Sequence, residues 1–252
     1  MIIEYHRPEN EQEAIALLNR STPVTVPLGG GTVVSKTGEE VAVVDLQSLK
    51  LDQIEENHGQ VLIGSMTNLE ALLGIFGRES AVGKALLIEA GKNIRGMATL
   101  GGSLVAYGGR SSLLTVLVAL GAELIWKPGD KTIGIEEWLS SREQGKPGKY
   151  IAQIRVPAEI KVEFESIGRS PLDQPVICCA VAKLPSGNLR IALGGFGNAP
   201  KLAYAGDASG NYRKQVENCL ENSGDQWASA AYRMEAGNRL VQRLVNAMAE
   251  GK

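Results

Sequence analysis

No stretch of this sequence is long and apolar enough to cross a bilayer. The longest candidate, Leu113 to Leu120, is interrupted by Thr115 and falls far short of the roughly 20 apolar residues a spanning helix needs. The start, Met1-Ile2-Ile3-Glu4, has neither the basic segment nor the apolar core of a secretory signal, so a cytoplasmic protein is expected. Clustered cations are missing too. Lysine and arginine number 26 against 28 acids, for a net charge of -2, which excludes the basic footprint of a nucleic-acid or membrane-surface binder. Cysteine and histidine are scarce: Cys178, Cys179 and Cys219 with His6 and His58 form no C-x-x-C or H-x-x-x-H pair. An iron-sulfur cluster usually takes about four thiolates, so the chain cannot hold one alone, and no metal ligands are expected. Any metal relay must come from another polypeptide. Cys178 and Cys179 lie in the apolar run Val176 to Val181; on a strand they point to opposite faces and read as buried thiols.

What is present suffices for a folded chain, since 252 residues with 44% hydrophobic content can build one large domain or two modest ones. Asn10 with Glu13 predicts a capped first helix carrying Ala14, Leu17 and Leu18 on its apolar stripe. Val24 to Leu28, Val41 to Leu46 and Val61 to Gly64 read as strands. Thr67 is a candidate N-cap for a helix over Asn68 to Leu73, and a helix around Ala81 to Ala90 is expected to stop at Gly91. Gly145-Lys146-Pro147-Gly148 reads as a linker, which sets domains at 1–146, with subdomains of about 1–55 and 56–146, and 147–252. Beyond it Tyr150 to Val156, Val162 to Ile167, Val176 to Leu184 and Leu189 to Gly194 read as strands, the last two joined by a turn at Ser186-Gly187-Asn188. A final helical pattern places Trp227, Ala231, Met234, Leu240, Leu244 and Met248 largely on one face. No internal repeat is visible.

Two glycine-rich sites stand out. The strand ending at Leu28 runs straight into Gly29-Gly30-Gly31-Thr32, and Gly101-Gly102 is flanked by the hydroxyls of Thr99 and Ser103. Glycine permits positive φ and lets a ligand reach the backbone, so successive amides can converge on an anion. Each site alone serves equally well as a tight turn. Neither is a Walker A loop or a G-x-G-x-x-G fingerprint, which removes support for nucleotide hydrolysis and Rossmann binding. Together they suggest two loops closing on one extended ligand, such as a dinucleotide. Arg95, Arg110 and Arg169 read as solvated or structurally paired, Arg169 with Asp173.

These residues carry a resemblance. Leu28-Gly29-Gly30-Gly31-Thr32 resembles the first FAD-pyrophosphate loop of the medium, flavoprotein subunits of the carbon monoxide dehydrogenase and xanthine dehydrogenase family. Ile63-Gly64-Ser65-Met66-Thr67-Asn68-Leu69-Glu70 resembles that family's next strand and helix start. Asn93-Ile94-Arg95-Gly96-Met97-Ala98-Thr99-Leu100-Gly101-Gly102 is similar to its second FAD loop. The likeness continues through Ile154-Arg155-Val156-Pro157, Arg169 with Asp173, and Gly194-Gly195 with Pro200. It closes at Ala228-Ser229-Ala230-Ala231-Tyr232-Arg233 and Leu240-Val241-Gln242-Arg243. Three departures stand in that pattern: Ser103 where the family usually has Asn, Ser112 where it has a carboxylate, and Glu165 where a basic residue often precedes Arg169 by four positions.

The resemblance implies an α+β protein: a two-subdomain, vanillyl-alcohol-oxidase-like (PCMH-type) FAD-binding domain followed by a small antiparallel sheet with helices. Backbone amides of Gly29 to Val33 would hold the pyrophosphate, with Thr32 as a side-chain donor, and Thr99, Gly101, Gly102 and Ser103 would line the second side. The full set of expected FAD contacts is Leu28, Gly29, Gly30, Gly31, Thr32, Val33, Thr67, Asn93, Ala98, Thr99, Gly101, Gly102, Ser103, Ser111 and Ser112. No side chain is expected to act as a catalytic acid or base, because the cofactor carries the chemistry. The implied function is that of an oxidoreductase subunit. It would pass electrons from a small iron-sulfur subunit, itself fed by a large molybdenum-cofactor subunit, to NAD, quinone, oxygen or another carrier. The alternative is a flavin-free scaffold subunit of the same family.

Overall fold

The computed structural model describes residues 1–34, 38, 40–146, 148–170 and 173–250, the last by its backbone only. Strands β1 (Ile2–His6), β2 (Thr25–Leu28) and β3 (Val41–Asp45) form a parallel sheet in the order β1-β3-β2. Central β3, Val-Ala-Val-Val-Asp, is buried at every position, as a parallel strand covered on both faces requires. Helix α1 (Glu11–Leu18) starts where its sequence indicates. Asn10 Oδ1 accepts the Glu13 amide at 2.9 Å, Glu13 Oε2 accepts the Glu9 amide at 3.1 Å, and Ala14 and Leu18 are buried.

A second, antiparallel sheet contains β4 (Ile54–Asn57), β5 (Gln60–Gly64), β6 (Glu123–Lys127), β7 (Lys131–Gly134) and β8 (Tyr150–Pro157) in the order β4-β5-β8-β6-β7. Strand β8 sits between β5 and β6, with Ile154 opposite both Ile63 and Leu124. The boundary expected after residue 146 therefore falls one strand too early: the Gly-rich segment returns the chain to the sheet instead of leaving it. Between β5 and β6 run α2 (Leu69–Phe76), α3 (Ala81–Glu89), α4 (Lys92–Met97), α5 (Leu100–Ala106) and α6 (Ser112–Leu120), and α7 (Ile135–Ser141) follows β7. Two expected caps differ. Asn68, not Thr67, caps α2, its Oδ1 accepting the Ala71 amide at 2.8 Å. Gly91 is not a left-handed stop for α3; with φ -63 it opens α4.

The third sheet, β9 (Lys161–Ile167), β10 (Ile177–Lys183), β11 (Leu189–Gly194) and β12 (Lys201–Gly206), is antiparallel in the order β12-β11-β10-β9. Its two faces enter different cores, as the Cys178-Cys179 alternation predicts. Cys178, Ala180 and Ala182 pack with α6, whereas Cys179 and Val181 pack with α8 (Tyr212–Leu220) and α9 (Ala230–Glu250). Sandwiched in this way, α6 is buried along its whole length. Thr115, its one mid-helix hydroxyl, donates to the Ser111 carbonyl at 2.8 Å and touches Cys178 Sγ at 3.3 Å. The C-terminal sheet thus shares a core with the preceding helices.

The buried face of α9 is Arg233, Ala236, Leu240, Val241, Leu244 and Met248. Trp227 and Ala231, expected on that face, are exposed; Trp227 precedes the helix, and its ring lies 4.4 Å from the Arg110 guanidinium and 4.7 Å from that of Arg169. Arg233 is fully buried. It donates to the carbonyls of Val176 (2.7 Å), Ala228 (3.2 Å), Gly195 (3.2 Å) and Ser223, and to Asp225 Oδ1 at 2.8 Å. Arg95, also buried, pairs with Glu70 at 2.8 Å, and Arg169 lies 3.5 Å from Asp173.

Candidate functional site

The first parallel sheet and the second sheet meet at a cavity of about 410 Å³, within the usual range of ligand sites. Gly29, Gly30, Gly31, Thr32 and Val33 supply one wall as the chain leaves β2. Ala98, Thr99, Gly101, Gly102 and Ser103 supply the facing wall. The two glycine-rich segments, far apart in sequence, touch. A Cβ on Gly30 would stand 1.7 Å from the Met97 carbonyl oxygen, and one on Gly29 would stand 2.5 Å from Thr99 Oγ1. Gly31 alone of the triplet has a positive φ, 68°.

Gly101 and Gly102 do not form a loop. They occupy the first turn of α5, where Thr99 is the N-cap and its Oγ1 accepts the Gly102 amide at 3.2 Å. Gly101 donates its amide to the Ser65 carbonyl at 2.8 Å, and a Cβ there would meet Ser65 Cβ at 2.8 Å. Close packing on the residue after β5 therefore accounts for glycine at 101, whereas a Cβ on Gly102 would meet only Thr99 Oγ1, at 3.0 Å.

Several expected contacts lie off the cavity wall. Leu28 ends β2 behind Gly31, and Asn93 is exposed on α4. Thr67 is buried, donating to the Asp52 carbonyl at 3.4 Å and receiving the Leu100 amide at its own carbonyl. Ser111 caps α6 and donates its hydroxyl to Glu89 Oε2 at 2.8 Å. Ser112 is buried in α6, its hydroxyl without a hydrogen-bond partner among the described residues. Glu165, the third departure, also lies off the wall: it faces α9 and pairs with Arg243.

Residues not expected as cofactor contacts add to the wall: Ser65 and Met66 after β5, Tyr107 at the end of α5, Trp126 in β6, and Tyr150 at the start of β8, with Lys146 and Lys149 before it. They meet only because β5, β8 and β6 pair side by side. Burial pushes the Tyr150 phenol to about 12. It also raises that of Tyr107, where the neighbouring Ser103 hydroxyl works against it and Glu89 adds to it. Among the lining residues, Ser103 Oγ, beside the Tyr107 phenol, and Trp126 Nε1 are buried without a hydrogen-bond partner of normal length. Such groups are costly unless something satisfies them. Backbone brought close by glycine, neutral polar side chains and two lysines suit a long ligand with several acceptor oxygens and a negative bridge. The donor set therefore fits FAD. Among the described residues no group of His, Cys, Asp or Glu could hold a metal ion, and no helix is long and apolar enough to cross a membrane.

Comparison with known proteins bears on this geometry. Residues 1–159 match the family described as the FAD binding domain in molybdopterin dehydrogenase. The chain is 29% identical to the uncharacterized protein YgfM of Escherichia coli (strain K12) over 255 aligned residues, covering 97% of this chain and 95% of that protein. It is 26% identical to the carbon monoxide dehydrogenase medium chain of Afipia carboxidovorans over 200 residues, covering 73% of this chain and 69% of that one. In fold it superposes on a chain of the Cu,Mo-CO dehydrogenase crystal structure with a TM-score of 0.80 at 24% identity, covering 98% and 97% of the two chains. A chain of quinoline 2-oxidoreductase from Pseudomonas putida 86 gives 0.77 at 20% identity, with 98% and 97% covered.

Proposed function

The chain belongs to the family of FAD-binding domains of molybdopterin dehydrogenases, and from that premise we propose that it is the electron-relaying flavoprotein subunit of a molybdenum hydroxylase complex. Its cofactor is FAD. When bound, FAD supplies two-electron chemistry that can also proceed one electron at a time, the property an electron relay needs. The protein's share is to hold and orient it. One glycine-rich wall follows β2 of the parallel sheet and the other opens α5, which packs against β8 of the second sheet, and this arrangement supports a PCMH-type reading in which FAD lies extended between two subdomains. Gly29 to Val33 line the cavity from one side, where their peptide amides would hold the diphosphate, and Thr99, Ser103 and Trp126 line it with neutral groups. In this reading no side chain of this chain acts as the acid or base, because substrate oxidation takes place in a partner.

The partners of this reading are a small iron-sulfur subunit and a large molybdenum-cofactor subunit, with an external carrier as final acceptor. The observation that carries it is the cavity itself, built where two separated glycine segments touch. Titrating the purified chain with FAD tests it: quenching of flavin fluorescence should saturate at one FAD per chain. A chain that binds no flavin, yet co-purifies with those partners, would instead be the scaffold of the family. The pairing of Glu165 with Arg243, off the cavity wall, removes one motive for that alternative.

A further inference from the structure

Resting on the FAD reading, we propose that Lys146 and Lys149 form a cationic arm that holds the diphosphate bridge of the cofactor. The charge pattern of the cavity leads to it. Among the described residues, Lys146 and Lys149 are the only ones on its wall with a formal charge near neutral pH, and no described Asp or Glu lines it. Several cations elsewhere are matched: Lys127 pairs with Glu11 and Asp130, Arg20 with Glu4, Arg155 with Glu123. No ion pair of the described residues involves Lys146 or Lys149. Two such cations on a wall whose described residues include no anion are complementary to a ligand carrying about two negative charges, and such complementarity strengthens and steers binding.

The arm is fastened at its Lys149 end. The Lys149 amide donates to the Lys127 carbonyl at the end of β6 at 2.7 Å. Gly148 crosses that strand end so closely that a Cβ would lie 2.6 Å from the same carbonyl oxygen and 3.1 Å from Trp126 Cβ. This contact requires glycine at 148 and fixes Lys149 immediately before β8, where Tyr150 and Ile151 continue the wall. Lys146 and Lys149 also border an adjoining depression of about 560 Å³ with Pro27 and Thr25, so they stand beside the strand that delivers Gly29. Peptide amides are neutral, and α5 is too short to supply a helix-terminal charge. The lysines therefore provide the countercharge that the glycine walls lack.

The test compares wild type, the Lys146→Gln/Lys149→Gln double variant and Lys149→Arg. FAD and riboflavin are titrated by fluorescence quenching in about 20 mM and about 500 mM salt, across which screening lengths change several-fold. The double variant should bind FAD about 10-fold to 100-fold more weakly than wild type at low salt, with a flattened salt dependence. Riboflavin, which has no phosphate, should bind both proteins equally. Lys149→Arg should keep near-wild-type FAD affinity. Thermal melting of flavin-free samples checks that the fold survives. Wild-type affinity and an unchanged salt slope in the double variant would overturn the lysine arm while leaving the FAD reading intact. An equal loss for riboflavin would likewise overturn it, assigning the lysines to cavity shape. Failure of wild type to bind FAD at all would overturn both.

Discussion

Replacing Glu89 by glutamine should make the protein more stable at pH 8 and remove a pH dependence between about pH 4.5 and 7. Glu89 ends α3 with its carboxylate turned to the interior, where Oε2 accepts the Ser111 hydroxyl and the Leu113 amide, both at 2.8 Å. These donors favour the anion, but burial outweighs them and moves the group from the ordinary 4.5 to about 7. Tyr107 and Cys178 are the titratable groups that feel its charge, and both are raised mainly by their own burial. Between pH 4.5 and 7 the folded protein keeps a proton that the unfolded chain releases. Stability is therefore complete below the lower value and falls as pH rises to the upper one. A displacement of that size corresponds to roughly 3 kcal/mol. Glutamine is neutral throughout and loses an acceptor at every pH, a cost of about 1 kcal/mol. Urea unfolding of both proteins at several pH values from 4.5 to 8 reads the difference, and other titrating groups cancel in the comparison. Parallel pH profiles for wild type and Glu89→Gln would refute a buried, displaced carboxyl at this position.

Further outcomes follow from packing. Gly30→Ala forces a methyl group into the Met97 carbonyl, so it should lower the flavin-free melting temperature more than Gly31→Ala. At Gly31, φ is 68° and the nearest atom to an added Cβ is Leu28 Cδ1 at 3.7 Å, leaving only a left-handed strain of about 1 to 2 kcal/mol; the reverse ranking would contradict the contact between the glycine walls. Arg233→Met should cost about 3 to 5 kcal/mol in urea unfolding, since Asp225 and several buried carbonyls lose their donor; a loss under about 1 kcal/mol would show the clamp to be dispensable. Thiol titration at pH 8 without denaturant should leave Cys178 and Cys179 unreacted. Both are fully buried, and burial pushes Cys178 up to about 12 and Cys179 well above the usual thiol range. Rapid reaction of more than one equivalent would count against that packing. FAD should be released intact by acid or heat, because among the described residues no His or Cys sits on the cavity wall; flavin retained on the precipitated polypeptide would indicate a covalent link.

The sequence by itself determined what depends on neighbours along the chain. Asn10 and Glu13 cap α1 as their spacing dictates, Cys178 and Cys179 part to opposite faces, and Ser186-Gly187-Asn188 turns a hairpin with Gly187 at φ 86°. The order of the glycine motifs was enough to indicate the family. Their reason for being glycine was not legible. Read along the chain, Gly30 and Gly101 open the backbone to a ligand, whereas in three dimensions their missing side chains make room for Met97 and Ser65. Likewise Ser111 and Ser112 look like cofactor contacts beside a glycine turn, yet burial of α6 between two layers turns them to Glu89 and the interior. The lysines show the converse. Lys146 lies in a segment that reads as a linker and Lys149 just after it, and only the insertion of β8 between β5 and β6 carries them to the cavity wall. Caps, turns and strand alternation are settled by interactions within a few residues. The wall of a cavity is settled by which strands pair and which layers cover them, and that energy is spread over contacts between residues distant in sequence.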